Sequence, residues 1–275
     1  MRTYFATKPK YPIPDIEGSW QFIKYPCVAE IKYDGEYEYY TQAHLINKYG
    51  RVREDLPITN ELAGFQGILV GELYYNDGKS FYDDILTHKF SDELKFYIFD
   101  ILQYGNSWLP NEPLYYRRTL LETILPEKPH LVLAKQYVCK DKNAVLEVFN
   151  DAVKRGYEGI VVKNIHSPFV NGTCQNWFKI KHQDTLDVFC IGYKKGKTAI
   201  AIGTEAKKPI GAVGNAGHQF YEVLEKVKAQ EIIGEDKEYN FVEPVFCIEI
   251  RHLGWIRGKM LRNATLIRER PDKDI

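Results

Sequence analysis

The 275-residue sequence lacks the features of a zinc-bound or disulfide-bonded domain. Its five cysteines are scattered, odd in number and contain no Cys-x-x-Cys pair, which argues against a zinc site and predicts free, buried thiols in a reducing compartment. No apolar run is long enough to span a bilayer, and the basic N-terminus has no apolar core of a secretory signal. We therefore expect a soluble, intracellular protein, either cytoplasmic or encoded by a virus or phage and acting inside its host.

An excess of charge of one sign is also absent. The sequence has 37 Lys and Arg residues and 37 Asp and Glu residues, so its net charge is zero. A balanced total neither indicates nor excludes a nucleic-acid partner, because affinity depends on local phosphate contacts. Internal repeats and low-complexity tracts are absent as well, and a hydrophobic fraction of 44% is typical of a globular protein with a proper core.

Hydrophobic periodicity divides the chain into two regions. After a proline-rich, irregular lead-in of twenty residues, the first region has strand-like alternation and two helical segments, the first with Arg117 and Arg118 expected on its surface. The second region has turn-punctuated strands around one helix at 219–231. We place the boundary near Asp184, which gives domains 1–184 and 185–275. The strand-like runs of the first region are 27–47, 67–75, 93–102, 159–164 and 176–182, and its helices are 115–125 and 143–156.

A series of short motifs carries the chemistry. Lys32-Tyr33-Asp34-Gly35 places a lysine beside a tight turn, where a glycine lets the backbone approach a ligand. Alternation in Phe178-Lys179-Ile180-Lys181 puts both lysines on one face of a strand, so both can reach one phosphate. Each motif taken alone is typical of an ordinary surface strand or turn. The other motifs follow in chain order: Gly71-Glu72-Leu73, Phe96 to Ile101, Glu158 to Lys163, and Arg270-Pro271-Asp272-Lys273.

In this order the motifs resemble those of the covalent nucleotidyltransferase superfamily, and within it the ATP-dependent DNA ligases, over nearly the whole chain. The resemblance implies an α+β fold of the minimal two-domain type. A nucleotidyltransferase (adenylation) domain of antiparallel sheets with flanking helices would be followed by an OB-fold β-barrel. It implies an enzyme of DNA repair, replication and recombination that seals 3′-OH/5′-phosphate nicks through a lysyl-AMP and a DNA-adenylate. The enzyme would use ATP and Mg²⁺ or Mn²⁺, and its substrate would be nicked duplex DNA. It would be a monomer that does not associate with membranes and has no obligate protein partner.

The resemblance also assigns roles to single residues. Lys32 would be the nucleophile, and its amine must lose a proton, which nearby positive charge or desolvation favours. Glu158 and Glu72 would bind the metal ion, Glu72 would also bind the ribose, and Phe99 would stack on adenine. The Arg270 to Lys273 segment would close over ATP and orient the pyrophosphate. The residues implied to bind the nucleotide are Glu30, Ile31, Lys48, Glu72, Phe99, Lys163, Lys179, Lys181, Arg270 and Lys273.

Two positions depart from the family pattern. Tyr37 stands where an arginine is usual, and Asn47-Lys48-Tyr49-Gly50 replaces a Ser-Arg-x-Gly motif. Lys48 keeps the charge but not the bidentate fork of arginine, so the residue that binds the 5′-phosphate of the nick stays open among Lys48, Arg51 and Arg53. The residues that we predict to contact nucleic acid are Lys48, Arg51, Arg53, Arg257 and Arg262.

Three alternative functions stay open. An mRNA-capping guanylyltransferase uses GTP and usually carries Asp-Gly where this chain has Glu158-Gly159. An RNA ligase commonly lacks a C-terminal barrel with a closing Arg-x-Asp-Lys-like segment. A non-catalytic nucleic-acid-binding protein would lose the lysines and the glutamate of these motifs, all of which are present. The sequence therefore favours a DNA ligase.

Overall fold

A computed structural model describes residues 8–9, 17–41, 44–75, 91–182, 184–214, 217–256 and 258–273. The chain divides into two compact units, Met1–Lys181 and His182–Ile275. The five cysteines are free and buried, which confirms the prediction. No helix in these ranges combines the length and the apolar character that crossing a membrane requires.

The first unit consists of three sheets and a few short helices. Its strands are β1 (Lys8–Pro9), β2 (Cys27–Lys32), β3 (Glu36–Thr41), β4 (His44–Asn47), β5 (Val52–Arg53), β6 (Gly67–Tyr75), β7 (Leu94–Tyr104), β8 (Ser107–Trp108), β9 (Leu131–Leu133), β10 (Gln136–Cys139), β11 (Gly159–Asn164), β12 (Thr173–Cys174) and β13 (Trp177–Lys181). The large sheet has the order β5-β4-β3-β6-β7-β8, with β9 parallel to β7. The small sheet has the order β10-β2-β11-β13 and is antiparallel throughout, while β1 and β12 form a parallel pair.

Local sequence signals explain the helices of this unit. The side chain of Asp141 caps the longest one by accepting a hydrogen bond from the Ala144 amide at 2.9 Å. The two helices predicted from helical spacing are confirmed, whereas a five-residue helix after Leu56 was not predicted because it is too short to show periodicity. The helices are a 3₁₀ helix (Glu17–Phe22), α1 (Pro57–Glu61), α2 (Leu114–Ile124) and α3 (Lys142–Lys154).

Alternation along the strands of the small sheet separates a core face from a polar face. Ile31, Ile160 and Ile180 lie on the core face and pack with Val145 of α3. The opposite face of the same three strands carries five of the predicted site residues, namely Glu30, Lys32, Lys163, Lys179 and Lys181. A second core lies on the large sheet, where Phe96 and its neighbours pack against α1 and α2.

The second unit is mostly antiparallel sheet. Its strands are β14 (Asp184–Lys194), β15 (Ile200–Glu205), β16 (Lys208–Val213), β17 (Ile232–Glu235), β18 (Tyr239–His252), β19 (Trp255–Ile256), β20 (Met260–Leu261) and β21 (Thr265–Glu269), with α4 (His218–Lys228) between β16 and β17. The main sheet has the order β16-β15-β14-β18-β17, and β21 also pairs with β18. A bulge between Cys190 and Gly192 interrupts the β14–β18 register, and α4 packs its apolar face on the core. The predicted helix of this region is confirmed.

Candidate active site

The strand register brings three distant motifs into one row. Lys32, Gly159 and Lys181 are direct partners across β2, β11 and β13. Gly159 has φ of +146°, and a Cβ there would lie 2.0 Å from the Ile180 carbonyl oxygen, so a side chain at this position would disrupt the row. Glu158 precedes the glycine and therefore reaches the lysines on both sides.

Glu158 bridges the two lysines. The Lys32 Nζ lies 2.5 Å from Glu158 Oε2, and Lys181 forms an ion pair with the other carboxylate oxygen. Burial would raise the pKa of Glu158, but the two ammonium groups outweigh it and hold the pKa below its ordinary value. The Lys32 side chain is 24% exposed, so it is held firmly but stays accessible to a ligand.

Two carboxylates control the charge of Lys32. Burial would lower the pKa of Lys32, but Glu158 and then Glu72 outweigh it, so the pKa lies above its ordinary value. Burial raises the pKa of the Glu72 carboxyl to about 7, although Lys32 opposes the shift. The two carboxylates therefore favour the protonated form of Lys32. Its activation requires that the charge of these carboxylates be withdrawn or neutralised.

The same sheet face also contains a buried ion pair, whose two residues lie diagonally across β2 and β11. Lys163 Nζ lies 2.5 Å from Glu30 Oε2, and both side chains are almost completely buried. Burial lowers the pKa of Lys163. Gln136 on β10 donates to the other Glu30 oxygen at 2.7 Å. Glu30, predicted from the resemblance to bind the nucleotide, therefore has both carboxylate oxygens occupied within the protein.

Phe99 lies beside this buried pair. Lys163 Nζ is 4.6 Å from the Phe99 ring centroid and 4.1 Å from that of Trp177, which indicates cation–π contacts. Lys179 lies on the same sheet face as Lys181, as the alternation predicted. Ile31 lies on the opposite face in the core under α3, so only its backbone is available to a nucleotide, which differs from a side-chain role.

The motif beginning at Asn47 forms a turn between β4 and β5. The Asn47 side chain accepts hydrogen bonds from the Tyr49 and Arg51 amides at 2.9 and 3.0 Å, and its amide donates to Glu36. Lys48 Nζ lies 5.0 Å from the Tyr49 ring centroid. Tyr49 and Arg51 are exposed. The turn therefore presents Lys48 and Arg51 on a rigid, solvent-facing support.

Arg53 differs from the sequence prediction. Its guanidinium pairs with Glu36 and lies 3.0 Å from Glu38, both of which are buried. An arginine engaged by two buried acidic side chains is a structural residue rather than a free phosphate ligand. The candidates for the 5′-phosphate are thereby reduced to Lys48 and Arg51.

Glu38→Gln is expected to flatten the pH dependence of stability. Burial raises the pKa of Glu38 from 4.5 to about 9, while Arg53 opposes the shift. Between these values the folded protein keeps a proton that the unfolded chain releases, so the free energy of unfolding falls as pH rises, by up to about 1.4 kcal/mol per pH unit. Urea unfolding at several pH values in this window measures the slope. Glu122→Gln, at an exposed position, should leave the wild-type slope; an equal slope in Glu38→Gln would disprove the expectation.

Arg117 was predicted on the surface of α2, and this is wrong. Its guanidinium is completely buried and donates to both oxygens of Asp100, at 2.7 and 2.8 Å. It also donates to the Ser167 carbonyl at 3.2 Å, and the Ser167 hydroxyl accepts from the Trp177 indole at 3.1 Å. Asp100 and Arg117 therefore fix the wall of the site beside Lys163.

The C-terminal cations lie in the second unit. Arg270 donates to Asp187 at 2.9 Å and to Asp272 at 2.8 Å, and Lys273 lies 3.5 Å from Asp187. The bonds to Asp272 and the charge of Asp187 raise the pKa of Arg270. Arg262 is only partly exposed. Arg257, predicted to contact nucleic acid, lies outside the described residues.

Several residues of this site were not found from the sequence. Gln136 and Asn47 act through contacts to Glu30 and Glu36, which depend on strand register. Tyr33, beside the lysine, stacks on Tyr97 with ring centroids 4.0 Å apart. The sequence signal for Arg117 was present, because Leu114 and Leu121 stand three residues before and four residues after it on one helix face.

The acidic residues fit a magnesium ion that is held partly by a nucleotide. No group of three or more His, Cys, Asp or Glu side chains in the described part of the chain forms a metal-ligand set by itself. Glu158 pairs with Lys32, and Glu72 lies against Gly35 of the same motif, where a Cβ would be 2.9 Å from the Glu72 Cγ, so both supply hard oxygen ligands near the lysine. Mg²⁺ is commonly held by one or two carboxylates together with substrate phosphates.

Part of the first unit is similar to a known protein family. Residues 67–181 match the family model described as "ATP dependent DNA ligase domain". A DNA ligase of Methanothrix thermoacetophila is 30% identical over 202 residues, which are 66% of this chain and 36% of that protein. The SPbeta prophage-derived DNA ligase-like protein LigB of Bacillus subtilis is 23% identical over 225 residues, or 80% of each chain. The chain thus spans little more than a third of the archaeal relative.

Solved structures show the same fold. A Lig E DNA ligase, described as binding DNA with a minimal scaffold, has a TM-score of 0.72 and 14% identity and covers 98% of this chain and 100% of its own. Mycobacterial DNA ligase D, complexed with ATP and MES, has a TM-score of 0.55 and 20% identity and covers 98% of this chain and 96% of its own. The predicted class, an adenylation domain of antiparallel sheets followed by an OB-fold, is confirmed.

Proposed function

We propose that the chain is an ATP-dependent DNA ligase that seals nicks in duplex DNA at the expense of ATP, because residues 67–181 match that family's model and the similar proteins are named DNA ligases or DNA ligase-like. The observation that carries this proposal is the Glu158 bridge between Lys32 and Lys181, which places two partly exposed lysines and a carboxylate together in an arrangement suited to a triphosphate and a metal ion. The first unit would act as the adenylation domain and the second as the OB-fold domain, with the proposed boundary near Asp184.

In the first step the Lys32 amine attacks the α-phosphorus of ATP. A P–N bond forms, the bond to the pyrophosphate oxygen breaks, and pyrophosphate leaves with the electron pair. Lys181 and Lys179 face the same side and would stabilise the charge on the phosphoryl oxygens. Lys163 and Phe99 would form the floor of the base-binding end.

Glu158 and Glu72 are the residues that would hold a magnesium or manganese ion. Such an ion, when bound, supplies positive charge to the phosphates and offsets the carboxylate charge that keeps Lys32 protonated. Glu72 would also accept a hydrogen bond from the ribose. Glu72 is partly exposed, so its carboxylate is accessible to a bound nucleotide.

In the second step the AMP moves to the 5′-phosphate of the nick, and in the third the 3′-hydroxyl displaces AMP. Lys48 and Arg51, on the Asn47 turn, are our candidates for the 5′-phosphate. Arg270 and Lys273 would leave Asp187 and orient the pyrophosphate during the first step. Arg270→Ala in the adenylation assay tests this role, and a wild-type rate would contradict it.

The decisive experiment incubates the protein with Mg²⁺ and α-labelled ATP and separates the products on a denaturing gel. We expect a covalent label on the protein with ATP and none with α-labelled GTP. The labelled protein should then release the label onto nicked duplex DNA and seal it, and a nicked RNA duplex should be sealed far more slowly. Failure to become labelled with any nucleotide and divalent ion would refute the proposal. Labelling by GTP would favour a capping enzyme.

A further inference from the structure

The hydroxyl of Tyr37 has no role in the reaction steps proposed above. Tyr37 is 8% exposed, and among the described residues its buried hydroxyl has no hydrogen-bond partner. Leaving a buried donor unpaired is unfavourable, and the large majority of such groups in folded proteins are paired. The residue at this position also departs from the arginine that is usual in the family.

The strand register fixes where Tyr37 lies. It is the direct partner of Glu72 across β3 and β6, so the two side chains share one sheet face. Its ring centroid is 6.3 Å from that of Phe99. Glu72 also lies against the turn that follows Lys32, because a Cβ on Gly35 would be 2.9 Å from the Glu72 Cγ. The side chains therefore follow one another from Lys32 through Glu72 and Tyr37 to Phe99.

This order matches the parts of a nucleotide. The lysine end would take the phosphates and the Phe99 end would take the base, so the sugar would lie beside Glu72 and Tyr37. We propose that the Tyr37 hydroxyl donates a hydrogen bond to a sugar hydroxyl of the bound nucleotide. The inference rests on the proposed function, because it places ATP in this site.

The chemistry of the group suits a neutral partner. A phenol hydroxyl is uncharged at neutral pH and can donate one hydrogen bond. An uncharged donor next to acidic residues is suited to a sugar hydroxyl, whereas the cations Lys32 and Lys181 are suited to phosphate.

Tyr37→Phe tests the proposal, because it removes the hydroxyl and keeps the ring. We expect the KM for ATP in lysyl-AMP formation to rise about 3- to 10-fold, the value of one neutral hydrogen bond, with little change in kcat. The melting temperature without nucleotide should stay the same or rise, since an unpaired buried group is removed.

Tyr40→Phe is the matched control on the same strand. The Tyr40 hydroxyl donates to the Leu62 carbonyl at 2.7 Å in the core of the large sheet, away from the site face. Its loss should lower the melting temperature and leave the KM for ATP unchanged. We therefore expect Tyr37→Phe to change the KM for ATP and not to lower the melting temperature, and Tyr40→Phe to do the reverse. A purely structural role for Tyr37 would not produce this difference.

Nucleotide analogues identify the partner. The wild-type protein should have a lower kcat/KM with 2′-deoxy-ATP or 3′-deoxy-ATP than with ATP. In Tyr37→Phe the ratio of kcat/KM for ATP to that for one of the two analogues should be smaller by at least about threefold. An unchanged KM in Tyr37→Phe, an undiminished preference against both analogues, or a fall in melting temperature like that of Tyr40→Phe would overturn the inference. Absence of any adduct in the wild-type protein would instead refute the proposed function.

Discussion

Lys32→Arg is expected to abolish the covalent adenylate, with a loss of more than about 1000-fold in the rate of lysyl-AMP formation. Arginine keeps a positive charge for the Glu158 carboxylate, which lies 2.5 Å from Lys32 Nζ in the wild type. A guanidinium is always protonated and is not a nucleophile, so the variant separates charge from chemistry. The measurement is the label that stays on the protein in a denaturing gel after incubation with α-labelled ATP.

The matched control is Lys128→Arg, at an exposed position in the segment before β9. It should become labelled at the wild-type rate. Sealing of a nick that already carries AMP should fall much less in Lys32→Arg, because the third step does not use the amine as a nucleophile. Wild-type labelling of Lys32→Arg would place the covalent bond on another residue and refute the assignment.

Asp100→Asn is expected to lower the free energy of unfolding of the first unit by about 3–5 kcal/mol. Asp100 is completely buried. Its carboxylate accepts two hydrogen bonds from Arg117 and one from the Ile101 amide. The asparagine variant leaves the guanidinium buried without a counter-charge. Urea denaturation monitored by near-UV circular dichroism measures the effect. If the two units unfold in separate transitions, each transition is fitted by itself.

Asp151→Asn provides the contrast, since it also removes a carboxylate from an arginine. Asp151 and Arg155 are both about half exposed and lie 3.4 Å apart, so their pair should contribute about 0.5 kcal/mol or less. A loss in Asp100→Asn no larger than that in Asp151→Asn would show that the buried pair does not hold this wall. Trp177 lies behind the same network, so its fluorescence should also change in Asp100→Asn.

Most of the secondary structure near the site was predictable because its signals are local. The apolar spacing of α3 predicts that helix, and the alternation of β13 predicts a shared face for Lys179 and Lys181. The short helix α1 has no comparable periodicity, and neither do the two-residue strands. Elements of that size form because tertiary contacts support them.

The roles of single charged residues were less predictable. Arg53 and Lys48 are equivalent candidates in the sequence, yet one is paired with buried carboxylates and the other lies on a turn. Arg117 and Arg118 are neighbours in the sequence, but only Arg117 faces the core. Whether a charged side chain is buried depends on which face of its helix packs against the core. Successive residues of a helix point in different directions, so two neighbouring arginines can lie on the core face and on the solvent face.

By itself the sequence determined the order of the motifs, the two-part division of the chain and the apolar faces that form its cores. Only the tertiary structure decided which partner each charged group meets: Glu158 reaches Lys32 across 126 positions of the sequence, and Lys163 reaches Glu30 across 133. The physical reason is that apolar periodicity is a property of neighbouring residues, whereas ion pairing and pKa depend on strand register and on burial, which the assembled sheets alone create.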